Sequence, residues 1–138
     1  MTLLRVVLGV LFLYAGISKV MNPEWTAAGF LGGAETFSGL YAWFGSEANI
    51  VWVNFLNQWG QIAIGLGLIT GFLTNIAAGA GILMMALYYF PDLKFPFVGE
   101  HGFLVDDHII YAVALYVLIA AKAGNYFGLD TLLKKNKK

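Results

Sequence analysis

The chain has 138 residues, 59% of them hydrophobic and only 12% charged, with a formal net charge of zero and no cysteine. A soluble domain needs a charged exterior of roughly 25–35%, disorder needs low hydrophobicity, and nucleic-acid binding needs a basic surface, so all three are excluded. The expectation is one all-α domain over residues 1–138, an integral membrane four-helix bundle in the lipid bilayer.

A bilayer core about 30 Å thick takes roughly 20 mainly apolar residues as helix. The first such stretch is 3–20, with Arg5 near its start and Ser18 and Lys19 near its end. No small-x-small cleavage site precedes the turn at Met21, Asn22 and Pro23, so it reads as a retained span rather than a signal peptide. In the segment 22–49, Phe37, Leu40, Tyr41 and Phe44 recur at the spacing of an amphipathic helix. Tryptophan and tyrosine favour the headgroup region. One or two short interfacial helices are expected there, in the first extracytoplasmic loop, roofing the bundle either as a structural lid or as a lid over a ligand pocket.

The second span, 50–73, carries Asn54, Asn57, Gln58 and Gln61. The third, 76–90, is short at about 22 Å. Only Leu73, Thr74 and Asn75 separate the two, which forces them antiparallel. Gly65, Gly67, Gly71, Ala77, Ala78, Gly79, Ala80 and Gly81 cluster around that turn. Small residues let helix backbones approach closely in lipid, which predicts intrachain packing, with a dimer interface as the alternative. The fourth span, 106–123, opens with Asp106, Asp107 and His108 and closes with Lys122.

Arg5, Lys122, Lys134, Lys135, Lys137 and Lys138, six of the eight basic residues, fall on the side of the termini. Basic residues stay cytoplasmic, so both termini are expected inside a multi-pass plasma-membrane protein. Polar side chains within a span usually face a bundle interior or a cavity. At helical spacing, Arg5, Gly9, Phe12, Gly16 and Lys19 share one face of the first span. Asn54, Gln58 (or Asn57), Gln61, Gly65 and Leu68 share a face of the second, and His108, Tyr111, Leu115, Leu118 and Lys122 a face of the fourth.

Each polar group has two readings. Asp106 and Asp107 sit where carboxylates cap a helix, Arg5 and Lys122 can snorkel to headgroups, and the amides can join neighbouring helices. Lys19 on the outer side runs against the charge rule, and a carboxylate at Asp106 or Asp107 would neutralise it. In the sharper reading Lys19, His108, Asp106 and Asp107 are catalytic, and Asn54, Gln58, Gln61 and Tyr111 bind a ligand in the outer half. His101 and His108 are the only histidines and lie near one helix end. They cannot grip opposite faces of one haem, and no recognised metal-ligand spacing appears. No haem, iron–sulfur cluster or metal is therefore expected, and no phosphate loop, nucleophile elbow or dinucleotide fingerprint is present.

Arg5, Gly9, Gly16 and Lys19, the glycine-rich run from Trp59 to Asn75, the stretch Pro23 to Gly29, and the Val105 to Tyr111 and Ala123 to Asp130 segments together resemble the DoxX/DoxD family of membrane proteins. The DoxD branch is the nearer likeness. The resemblance implies the membrane subunit of a thiosulfate:quinone oxidoreductase working with a DoxA-like second subunit. Many DoxX-type sequences carry Glu where Gln61 stands and Arg where Asn75 stands. An amide does not titrate, so Gln61 takes no proton.

The function expected is a membrane subunit of a quinone-linked oxidoreductase, with quinone as electron acceptor and thiosulfate or a related sulfur compound as reductant. The alternative is a non-enzymatic membrane anchor or assembly subunit, with a second protein or a further copy of the chain as partner. A small-solute carrier is a third reading, for which four short helices leave little room.

Overall fold

The computed structural model describes residues 1–135. In chain order the helices are α1 (Thr2–Val20), α2 (Ala28–Gly32), α3 (Ser38–Phe44), α4 (Ile50–Thr70), α5 (Thr74–Asp92), α6 (Asp107–Ala120) and α7 (Leu129–Lys135). Between α5 and α6 lies a three-stranded antiparallel sheet, β1 (Leu93–Lys94), β2 (Phe97–Val98) and β3 (Gly102–Phe103). A 3-10 turn, Ala123–Asn125, precedes α7. The all-α expectation is thus corrected to a mostly helical chain with a small sheet. Strands two residues long leave no period to read in a sequence. The basic residues Lys137 and Lys138 lie outside the described residues.

Among the described residues, α1 alone is by length and composition apolar enough to cross a membrane, with a mean hydropathy of 1.9 over 18 residues. α6 is apolar but only 14 residues long, about 21 Å of helix. Asn54, Asn57, Gln58 and Gln61 dilute α4, and Thr74, Asn75, Tyr88 and Tyr89 dilute α5. α4 stops short of the expected residue 73 because Gly71 turns left-handed at φ +67°. A Cβ there would also lie 2.7 Å from Arg5 Nη1, so conformation and space both demand glycine. α5 gains residues at both ends, and its 19 residues make a rod of about 28 Å rather than the 22 Å expected.

α1 packs along α4, and α5 along α6. In the first pair the backbones nearly touch: a Cβ on Gly65 would fall 2.5 Å from the Leu13 amide nitrogen, and one on Gly9 would fall 2.9 Å from the Gly65 carbonyl. In the second, a Cβ on Gly81 would meet Leu115 Cδ1 at 2.8 Å. The antiparallel hairpin partners α4 and α5 leave a cavity of about 680 Å³ between them. The small residues do pack within the chain, but against several partners: Gly65 faces α1, Gly81 faces α6, and a Cβ on Gly67 would meet Ala77 Cβ at 3.0 Å. Leu8, Phe12, Ile64, Leu68, Ala78, Met85, Leu115 and Leu118 fill the centre where all four long helices meet.

The segment before α4 folds into the two short helices expected and forms a roof over one end. Ala27, Leu31, Ala34, Tyr41 and Val53 make its own small core. Tyr41 is buried, its hydroxyl donates to the Leu87 carbonyl at 2.9 Å, and burial pushes its phenol pKa up, which favours the neutral donor form. Thr36 Oγ1 donates to the Leu93 carbonyl at 2.7 Å, and Asn54 Oδ1 accepts from the Ala27 amide at 2.9 Å. The roof is thereby tied to α4, α5 and the sheet. Phe37 and Leu40, which share the expected helical stripe with Tyr41, are exposed.

Candidate functional site

Lys19 lies in the last turn of α1, on the face that also buries Arg5, Gly9, Phe12 and Gly16. Its Nζ donates to Gln61 Oε1 at 2.9 Å and to the Ala15 carbonyl at 3.2 Å, and it stands 5.5 Å from the centre of the Trp25 ring. Gln61 is only 3% exposed, so this amide is the buried seat of the ammonium. Gln58 Nε2 reaches the Lys19 carbonyl at 3.5 Å, a marginal bond by length.

Around Lys19 opens a cavity of about 300 Å³ under the roof. Asn57 from α4, Tyr88 and Asp92 from α5, and His108 from α6 line it, with Trp25, Thr26, Ala27 and Phe30 from the roof side. The Tyr88 hydroxyl donates to Asn57 Oδ1, and Asn57 Nδ2 donates to the Val53 carbonyl at 2.8 Å. Tyr88 meets the His108 ring edge-to-face at 5.9 Å and Phe30 at 6.3 Å. Asp106 is the N-cap of α6: one carboxylate oxygen accepts from the Ile109 amide at 3.2 Å, and the other is paired with His108 Nδ1 at 2.5 Å. Capping and imidazole orientation, separate readings of the sequence, are combined in one side chain.

Of the residues picked out from sequence, the fold therefore brings together Lys19, Gln61, His108 and Asp106, with Gln58 at the edge. Three others stand apart. Asp107 is exposed in the first turn of α6, Asn54 holds the roof through Thr26 and Ala27, and Tyr111 packs against the central core. Among the described residues no ion pair joins Lys19 to Asp106 or Asp107. Gln61 already holds the ammonium and His108 already holds Asp106, so the expected pair is replaced by a lysine on a neutral amide. The carboxylate that lines the Lys19 cavity is Asp92.

On the long helices, Asn57, Tyr88 and Asp92 are the lining residues outside the site expected from sequence, as are Trp25, Thr26, Ala27 and Phe30 on the roof side. Asn57 and Gln58 are neighbours about 100° apart on a helix, and only Asn57 turns toward α5.

At the opposite end of the bundle Arg5 is 1% exposed. Its Nη1 donates to the carbonyls of Ala123 at 3.1 Å and Tyr126 at 3.0 Å, and its Nη2 to that of Phe127 at 2.9 Å. The snorkelling reading of Arg5 is corrected: five donors in a rigid fork suit a nest of carbonyls better than a headgroup. Asp130 completes this end by accepting from the Leu73 and Thr74 amides at 2.8 and 3.0 Å. The 3-10 turn and α7 are thus clamped onto the α4–α5 turn.

The DoxX family model matches residues 1–91. Lys19, Asn57, Gln61 and Tyr88 fall within the matched part, whereas Asp92, Asp106 and His108 come from the segment after it. No curated protein and no solved structure matches the chain.

Proposed function

The chain belongs to the DoxX family, a family of membrane proteins, and from that premise we propose that it is a multi-pass subunit of a quinone-linked oxidoreductase whose roof cavity receives the quinone head. In this reading α1, α4, α5 and α6 cross the plasma membrane, α2 and α3 lie at its outer surface, and both termini are cytoplasmic. The collection of six of the eight basic residues on the side of the termini supports that orientation. Tilt and local thinning accommodate the short α6.

The observation that carries the reading is the cavity itself. Four helices deliver an ammonium, an amide, a phenol, a carboxylate and an imidazole to one small space otherwise walled by Trp25, Thr26, Ala27 and Phe30. Such a mixture suits a planar, mostly apolar ring with two carbonyl oxygens. A bound quinone supplies two-electron, two-proton acceptor chemistry. Lys19 has a third N–H to donate beyond its bonds to Gln61 and Ala15, the Tyr88 hydroxyl, whose proton goes to Asn57, presents its oxygen, and Gln61 fixes the ammonium without titrating. His108, its Nδ1 held by Asp106, has Nε2 left for proton exchange between the cavity and the outer face. Electrons come from a second subunit, DoxA-like by resemblance, with thiosulfate or a related sulfur compound as donor.

A second reading, a non-enzymatic anchor or assembly subunit, is favoured by the sheet, which leaves Phe95, Phe97 and Phe103 exposed. The two separate when the protein is purified from membranes and its bound quinone extracted and quantified. The wild type should carry quinone, and Lys19→Met and His108→Leu should each carry at least ten-fold less while still inserting. A wild type without quinone, or variants that keep it and shift only the thermal midpoint, refutes the oxidoreductase reading and leaves the anchor.

A further inference from the structure

The cavity between α4 and α5 is a groove that runs nearly the length of both helices. Val53 and Tyr88 wall it at the roof end, and Thr70 and Leu73 wall it at the other. From Val53 to Thr70 the helical rise is about 25 Å, close to the roughly 30 Å of a bilayer's hydrocarbon core. Below the roof its walls are apolar except for Thr70, whose hydroxyl is committed to the Leu66 carbonyl at 2.7 Å. Asn57 and Tyr88 belong to both the groove and the polar cavity, so the two spaces adjoin at their hydrogen bond.

We propose that this groove seats a single isoprenoid chain whose polar ring lies in the roof cavity, a proposal that rests on the quinone reading given above. The zoning matches such a molecule: hydrogen-bonding groups gather at one end and an apolar channel of about 680 Å³ continues from it, within the usual size of ligand sites. Length selects the chain. A phospholipid tail anchored at the outer headgroups serves one leaflet, about half of the core, whereas this groove continues past the midplane to the α4–α5 turn. A polyisoprenoid tail is long enough to follow it.

Ala63 and Ala80 face into the groove from opposite sides, are exposed, and take no part in the polar cavity. Ala63→Phe and Ala80→Phe would therefore obstruct the channel without touching the head site. Binding to the full chain in lipid nanodiscs is followed by tryptophan quenching with two probes, a benzoquinone bearing a ten-isoprene tail and the same ring without a tail. Each affinity is expressed per mole fraction in lipid. Both phenylalanine variants should weaken the tailed probe at least ten-fold and leave the tailless ring within two-fold of wild type. If the wild type binds the ring but the variants bind the tailed probe unchanged, the groove assignment is overturned and the head site stands. If the wild type binds neither probe, the head site fails and the groove assignment falls with it. A change in oligomeric state on sedimentation, with tailed-probe affinity unaltered, makes the groove a protein interface and likewise overturns the proposal.

Discussion

Replacing Arg5 by methionine keeps the aliphatic stem and removes the guanidinium from a nest it holds by three hydrogen bonds. One, to the Ala123 carbonyl, is fully buried, and those to Tyr126 and Phe127 are partly so. A hydrogen bond to a charged group contributes about 1.5–3 kcal/mol, and a neutral one about 1. Taking the charged value for the buried bond and about 1 kcal/mol for each of the others gives a loss of about 4 kcal/mol, concentrated on the segment from Ala123 to Thr131. At about 1.4 kcal/mol per factor of ten, local opening there should rise roughly a thousand-fold. Amide hydrogen exchange in lipid reads this directly, at the Asp130 amide bonded to the Gly71 carbonyl and the Thr131 amide bonded to that of Gly128. Arg5→Lys keeps the charge but cannot fork toward three carbonyls, and should fall between the two. Exchange at Asp130 and Thr131 that rises less than five-fold in Arg5→Met would mean that the guanidinium does not hold this segment, and the clamp would be refuted.

Gly65→Ala should destabilise the chain by about 1–3 kcal/mol by overpacking, since the added Cβ has the Leu13 backbone 2.5 Å away; an unchanged thermal midpoint in detergent would show that α1 and α4 can separate freely. Single cysteines at Gly33, in the roof, and at Leu132, in α7, should label from opposite sides of sealed vesicles, and labelling from one side would overturn the proposed topology. Tyr41→Phe removes the bond to the Leu87 carbonyl and should cost about 1 kcal/mol, seen as faster exchange in α3 with α1 unaffected; unchanged α3 exchange would mean that packing alone fixes the roof.

What the sequence showed and what it hid divide along physical lines. The stripe from Arg5 through Gly9, Phe12 and Gly16 to Lys19 was legible because a buried helix face repeats every three to four residues. So were the roof helices, and the meeting of Lys19 with His108 at one end followed from chain direction alone. Partner choice was not legible. Gln61 and Asp106 competed for Lys19 and His108, and which polar group pairs with which depends on helix rotations that periodicity leaves free. Asn57 stood only as the alternative to Gln58 for the same reason, one residue away yet facing another helix. Arg5 was misread because its acceptors lie some 120 residues away in the 3-10 turn and the bend after it, where no periodic signal exists. The looseness of the α4–α5 pair was hidden too, since glycine and alanine advertise close approach without naming the neighbour.

The clamp at the far end also orders events in time. Arg5 lies in α1, and its acceptors are added some 120 residues later. Until Ala123, Tyr126 and Phe127 arrive, a guanidinium sits between apolar helices with no carbonyls to receive it, and the first amides of α5 wait for Asp130. The entropy of closing so long a loop grows only logarithmically with length, so the delay lies in synthesis and not in the search. A chain cut off before Ala123 would leave the Arg5 guanidinium without these three acceptors. Arg5 thus makes the packing of α1 depend on the arrival of the segment from Ala123 to Phe127.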